Sequence, residues 1–140
     1  MAEKLLEIRD LNVTYNTDDG VVYAVNGLDL TVNKGQVLGL VGETGAGKTT
    51  MALSILRLLP DRVGKITKGD IVLDGMDIIR CTEADMKLIR GNKVSMIFQD
   101  PMTSLNPILT VGDQIAEVLE LHNKGMSKED IQSRVDEMLR

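Results

Sequence analysis

The run Gly42-Glu43-Thr44-Gly45-Ala46-Gly47-Lys48-Thr49 matches the pattern G-x-x-x-x-G-K-[ST] at every fixed position. Glycines at 42, 45 and 47 let the backbone curl with its N–H groups inward, and a helix beginning near Lys48 adds the positive end of its dipole. A polyphosphate then meets many donors with no side chain in the way. Lys48 supplies a mobile positive charge for the β and γ phosphates. Thr49 sets a hydroxyl where Mg²⁺ would bridge them, with Thr50 as an additional phosphate donor. The flanks agree with this reading. Gln36 to Val41 is a near-continuous apolar run, which predicts a strand buried on both faces of a parallel sheet. Ala52, Ile55, Leu56 and Leu59 fall at i, i+3, i+4 and i+7, which predicts an amphipathic helix that Pro60 ends.

Upstream, Leu6 and Ile8 alternate with Glu7 and Arg9, and Leu11, Val13 and Tyr15 resume the period of two after a one-residue slip that reads as a bulge. The turn cluster 16–20 separates this strand from a second one over Val22 to Val32, with Leu28, Leu30 and Val32 on one face. An antiparallel ribbon follows from that pattern. Downstream, Gly69 to Ile78 reads as a hairpin about Asp74-Gly75, and Val94 to Phe98 as a further buried strand. Thr82 with Asp85, Thr110 with Asp113 and Ser127 with Asp130 have the spacing of capping boxes and start three helices. The expected inward residues are Val111, Ile115, Val118 and Leu119 on the second of these, and Ile131, Val135, Met138 and Leu139 on the third.

The chain has 140 residues, 43% apolar and 26% charged, which fits one globular domain or a piece of a larger one. Sixteen Lys and Arg against 21 Asp and Glu leave a net charge of −5, so nucleic acid is not an expected partner. Charged residues interrupt every apolar stretch before it reaches bilayer length, and Glu3, Lys4, Glu7, Arg9 and Asp10 leave no room for a secretory leader. A cytoplasmic location is expected. Cys81, as a lone cysteine, and the eight Met read as packing residues. His122 reads as a favourable charge at a helix C-terminus.

Many families share such a phosphate loop. A guanine-reading N-K-x-D is not met, because Asn92-Lys93-Val94-Ser95 ends in Ser, and Asp61-Arg62-Val63-Gly64 follows Pro60 instead of closing a buried strand. The stretch Val94-Ser95-Met96-Ile97-Phe98-Gln99-Asp100-Pro101-Met102-Thr103-Ser104-Leu105-Asn106-Pro107 resembles the Q-loop region of ABC transporter ATPases. Joined to residues 42–50 and to Leu56-Arg57-Leu58-Leu59-Pro60, it is most similar to the D-type ATP-binding subunit of the oligopeptide, dipeptide and nickel importers, from Leu5 to Arg140.

The resemblance implies an α/β fold: a P-loop NTPase (RecA-like) core with an N-terminal antiparallel β-subdomain and the beginning of the ABC helical subdomain, incomplete. Residues 1–35 would be the antiparallel β region, 36–60 the P-loop strand and helix, 61–99 the β hairpin and the strand to the Q-loop, and 100–140 the start of the helical subdomain. It implies a nucleotide site of Tyr15, Gly42, Glu43, Thr44, Gly45, Ala46, Gly47, Lys48, Thr49, Thr50 and Gln99, with ATP and Mg²⁺ as ligands and Thr49 and Gln99 on the metal. Lys48 and Gln99 would be catalytic, Gln99 sensing the γ-phosphate through an amide that both donates and accepts. Tyr15 matches the aromatic that stacks on adenine, with Tyr23 as the alternative ring.

Asp100 to Pro107 would meet the transmembrane permease subunits, a homologous ATP-binding subunit would complete a homo- or heterodimer, and an extracytoplasmic peptide-binding protein would act indirectly. The place implied is the cytoplasmic face of the cell membrane. The family's signature sequence, Walker B carboxylates and switch histidine do not occur in these 140 residues, so the sequence reads as an N-terminal portion of a longer subunit. This chain alone is expected to bind Mg-ATP and to turn it over no faster than background. Two alternatives stay open at this point: an ABC ATPase for another solute such as nickel, and a non-hydrolysing nucleotide-binding fragment.

Overall fold

The alternation of apolar residues over the first 33 positions produces two long paired strands, β1 (Lys4–Thr17) and β2 (Gly20–Asn33), joined by a tight turn at Asp18-Asp19. The computed structural model describes residues 3–100 and 104–140. It divides into two units, Met1–Ser95 and Met96–Arg140.

In the first unit the slip between Ile8 and Leu11 is a bulge: the register shifts there, Asp10 takes φ 46°, and its N–H donates to Asp29 Oδ1 at 2.8 Å. The extra residue keeps Ile8, Leu11 and Val13 all inward, each at most 1% exposed. Opposite the bulge, Gly69 approaches so closely that a Cβ on it would lie 2.5 Å from the Asp10 carbonyl oxygen. A further shift at Val13/Thr14 buries Thr14 beside Val13 and leaves Tyr15 half-buried, which breaks the simple alternation.

Strand β3 (Gly64–Leu73) pairs antiparallel with the other edge of β1 and turns into β4 (Met76–Asp77), giving the order β2-β1-β3-β4. The hairpin turn is the expected Asp74-Gly75, with φ 49° and 77°, the doubly positive conformation of a type I′ turn. Strand β3 starts earlier than expected, at Gly64, because β1 is long enough to pair it from Tyr15 onward. The core joins Ile8, Leu11, Val13, Ile71, Ile78 and Met86, with Cys81 packed against it. Met and aliphatic side chains supply its bulk, as the scarcity of aromatics requires.

Helix α1 (Lys48–Leu56) buries Leu56 of the expected stripe, with Ile55 and Leu59 half-buried against the core, and buries Met51 and Ser54 in addition. Ser54 is completely buried because its hydroxyl donates to the Thr50 carbonyl at 2.7 Å, which removes the cost of a lone polar group inside. The helix also ends before Pro60: Arg57 takes the left-handed conformation (φ 51°) and Leu58 N–H reaches the Leu53 carbonyl at 2.9 Å. Helix α2 (Glu83–Ile89) starts at the predicted box, with Asp85 N–H on Thr82 Oγ1 at 3.2 Å and Thr82 N–H on Asp85 Oδ2 at 2.9 Å. Arg90 then ties the two helices together, donating through Nε to the Leu56 carbonyl at 2.7 Å and through Nη1 to Glu83 at 2.5 Å.

Two expected strands differ from the structure. Residues 36–43 form no ladder, and Val37 and Val41 are 97% and 99% exposed. Residues 94–98 form none either beyond an isolated bridge between Arg90 and Val94, and Ile97 is 93% exposed. A parallel strand exists only through its neighbours, and among the described residues neither segment has an adjacent strand to bond with.

The second unit contains α3 (Val111–His122) and α4 (Lys128–Met138), N-capped by Thr110 and Ser127 through Asp113 and Asp130 N–H groups. Ile131 and Val135 of α4 are buried, and Val135 Cγ1 lies 3.6 Å from where a Cβ on Gly112 would stand. The expected inward set is only partly realised: Val111, Val118, Met138 and Leu139 are 45–64% exposed, since two helices cannot cover both apolar faces. No helix among the described residues is long and apolar enough to cross a membrane.

Candidate functional site

Residues 42–47 bridge the extended segment after β2 to the first turn of α1. Gly45 and Gly47 take φ 86° and 79°, a region closed to most residues with a Cβ, so the loop's sharp curl depends on them. Gly47 has a second reason to be glycine. A Cβ there would sit 2.3 Å from the Ala24 carbonyl oxygen of β2 and 3.3 Å from Val25 Cγ2, so the loop is pressed directly onto the antiparallel sheet.

Gly47 is also the N-cap of α1. No side chain caps the helix and no acidic residue stands in its first turn, so the N–H groups there keep their affinity for an external anion. Lys48 arches back over the loop and donates through Nζ to the carbonyls of Gly42 at 2.6 Å and Glu43 at 2.7 Å. Ala46 N–H bonds the Glu43 carbonyl at 3.1 Å and closes the loop on itself. A concavity of about 370 Å³ opens beside it, lined by Ala24, Val25, Gly27, Ala46, Gly47 and Lys48 among others.

Thr49 is exposed on the first helical turn, with Thr50 half-buried behind it. A threonine hydroxyl is a hard oxygen donor of the kind Mg²⁺ accepts. A magnesium ion held here would take the Thr49 hydroxyl as one oxygen ligand. The donor set fits that ion.

Tyr15 reaches the loop from β1, its hydroxyl 3.2 Å from Thr50 Oγ1. Tyr23, on β2, is 68% exposed. The structure therefore brings Tyr15 to Thr50, on the first turn of α1. Two contributors escaped the sequence reading: the Ala24 carbonyl, against which Gly47 packs, and Gly64, the cross-strand partner of Tyr15. A backbone carbonyl leaves no mark in a sequence, whereas a glycine at the head of a strand is a readable sign of close approach. Lys93 of the guanine-motif look-alike is bound to Asp74 at 2.7 Å, a plain surface pair.

Gln99 lies in the second unit at an exposed bend, not at the end of a strand. The adjoining loop is shaped by Asn106: its N–H bonds Gln114 Oε1 at 2.9 Å, its carbonyl accepts from Gln114 Nε2 at 3.1 Å, and its Oδ1 accepts from Ile108 N–H at 3.0 Å. Of the expected docking segment Asp100 to Pro107, residues 101–103 lie outside the described residues.

Comparison with known proteins agrees with the motifs. A family model described as ABC transporter matches residues 25–140. The chain is 49% identical over 127 residues to the oligopeptide transport ATP-binding protein OppD of Salmonella typhimurium, covering 91% of this chain and 37% of that protein. It is 45% identical over 137 residues to the dipeptide transport ATP-binding protein DppD of Bacillus subtilis, covering 98% and 41%. Among solved structures, the dimeric bacterial ABC transporter cassette MJ0796 superposes with a TM-score of 0.82 at 26% identity, over 96% of this chain and 56% of that one. The chain spans about two fifths of the length of the curated relatives it matches.

Proposed function

Because this chain belongs to the ABC transporter family, we propose that it is the nucleotide-facing part of an ATP-binding subunit that energises peptide import. The observation that carries the reading is the loop itself: an uncapped helix N-terminus, two glycines with positive φ and a lysine folded over the loop carbonyls. In the reading, residues 42–47 wrap the polyphosphate with backbone N–H groups, and Lys48 exchanges part of its bonding to Gly42 and Glu43 for the terminal phosphates. Thr49 would offer its hydroxyl to Mg²⁺, which supplies charge neutralisation at the phosphates when bound; the role of Gln99 on that ion is carried by family resemblance alone. Thr50 adds a donor, and the ring of Tyr15 lies under the adenine.

The solute assignment rests on relatives named for oligopeptide and dipeptide transport. Permease subunits would engage the segment from Asp100 to Pro107, a second ATP-binding subunit would face the nucleotide, and a peptide-binding protein outside the membrane would deliver the cargo. The subunit would then work at the cytoplasmic face of the membrane. Calorimetric titration of Mg-ATP into this chain tests the nucleotide reading directly: saturable binding is expected, and none in Lys48→Ala. Unchanged affinity in that variant would remove the assignment.

A further inference from the structure

Tyr15 and Gly64 face each other as cross-strand partners of β1 and β3. A Cβ built on Gly64 would lie 2.9 Å from Tyr15 Cε1, 3.0 Å from Leu59 Cβ and 3.3 Å from Pro60 Cδ. The backbone of Gly64 is outside the left-handed region, so any residue could adopt it. What the glycine supplies is room.

The backbone on both sides of Gly64 is hydrogen-bonded in place. Gly64 N–H is held by the Pro60 carbonyl at 2.8 Å, and Asn16 N–H by the Val63 carbonyl at 2.8 Å, so both strands are pinned where they meet. Leu59 Cβ at 3.0 Å and Pro60 Cδ at 3.3 Å need yield by only a few tenths of an ångström, whereas Tyr15 Cε1 at 2.9 Å has to move. The remaining freedom belongs to the Tyr15 ring, whose far end is bonded to Thr50 Oγ1. A methyl group at position 64 therefore displaces the ring relative to the first turn of α1.

We propose that Gly64 is a positioning residue for the nucleotide base: by leaving its side-chain space to Tyr15, it fixes where the ring stands beside the first turn of α1. Gly64 touches no nucleotide itself and acts through Tyr15. The inference rests on the reading that Tyr15 stacks on the base.

The test is calorimetric binding of Mg-ATP and of Mg-tripolyphosphate, which has the phosphates and no base, to the parent chain, Gly64→Ala, Tyr15→Ala and the double variant. Gly64→Ala should weaken ATP about tenfold, within the range expected for loss of base–aromatic stacking. It should leave tripolyphosphate unchanged, which also shows that the loop is still folded. In the Tyr15→Ala background it should have no further effect. Equal losses for both ligands, unchanged ATP affinity, or a Gly64→Ala loss that persists without the ring would each overturn the proposal. If Tyr15→Ala weakens ATP while Gly64→Ala is silent, only the role of Gly64 fails; if Tyr15→Ala is itself silent, the stacking reading falls with it.

Discussion

Lys48 Nζ donates to the carbonyl of Gly42 at 2.6 Å, so the cation at one end of the phosphate loop holds the residue at the other end. Replacing Lys48 with Ala removes the attraction for terminal phosphates and the clasp together. Binding of Mg-ATP by Lys48→Ala should be lost, read by titration calorimetry, while far-ultraviolet circular dichroism stays that of the parent because the lysine lies outside the core.

Tyr15→Ala should weaken Mg-ATP by roughly 1 to 3 kcal/mol, the usual worth of stacking a base on an aromatic ring. Tyr23→Ala should be nearly silent, since that ring stands out in solvent while only Tyr15 is bonded to the α1 turn. The reverse order, measured by the same titration, would transfer the role to Tyr23.

The loop glycines should not respond alike. Gly45→Ala meets nothing within 4 Å, so its cost is the left-handed backbone alone, about 1 to 2 kcal/mol. Gly47→Ala carries the same penalty and also drives a methyl group into the Ala24 carbonyl, so it should lower the urea midpoint further and abolish nucleotide binding. Equal denaturation curves for the two variants would contradict the close approach.

Thr82→Ala deletes one half of a reciprocal capping box and should destabilise the first unit by about 1 kcal/mol in urea unfolding. Asp85→Asn should do less, because its amide oxygen still accepts the Thr82 N–H.

Acid should act on β1. The Arg9 guanidinium, with Lys4 assisting, bonds the Glu7 carboxylate and holds its pKa down at about 2 from the usual 4.5. A carboxyl depressed on folding stabilises the protein fully above its unfolded value and loses that contribution as pH falls through the folded one. The Glu7 contribution should therefore fade between pH 4.5 and about 2. A carbon-detected NMR titration should find the Glu7 midpoint near the lower figure, and Arg9→Gln should raise it.

The conformation of residues 42–49 was legible because it is local: torsions that need glycine, a helix N-terminus and one lysine sit within eight residues. The type I′ turn at Asp74-Gly75, the capping box of Thr82 and Asp85 and the N-caps Thr110 and Ser127 were legible for the same reason. The bulge at Asp10 showed itself as a phase slip in an otherwise regular alternation. What escaped depends on partners distant in sequence. Val37 and Val41 have the composition of a buried parallel strand, yet burial requires adjacent strands that no local pattern can supply. The inward face of α1 was misread at Ser54, because hydropathy rates a hydroxyl by its cost in isolation and ignores the Thr50 carbonyl that accepts its proton. Gln99 owes its assignment to family resemblance, and nothing in its own surroundings would have singled it out.

The placement of the two tyrosines has an optical consequence. With no tryptophan in the chain, near-ultraviolet dichroism comes from rings held in a fixed, asymmetric setting, and Tyr23 and Phe98, both exposed, contribute little. The signal belongs mainly to Tyr15, fastened to Thr50 and lying over Gly64. On the proposed stacking, a purine beside that ring would alter its spectrum whereas a bare polyphosphate would not, so the ring would report the base separately from the phosphates without any attached label.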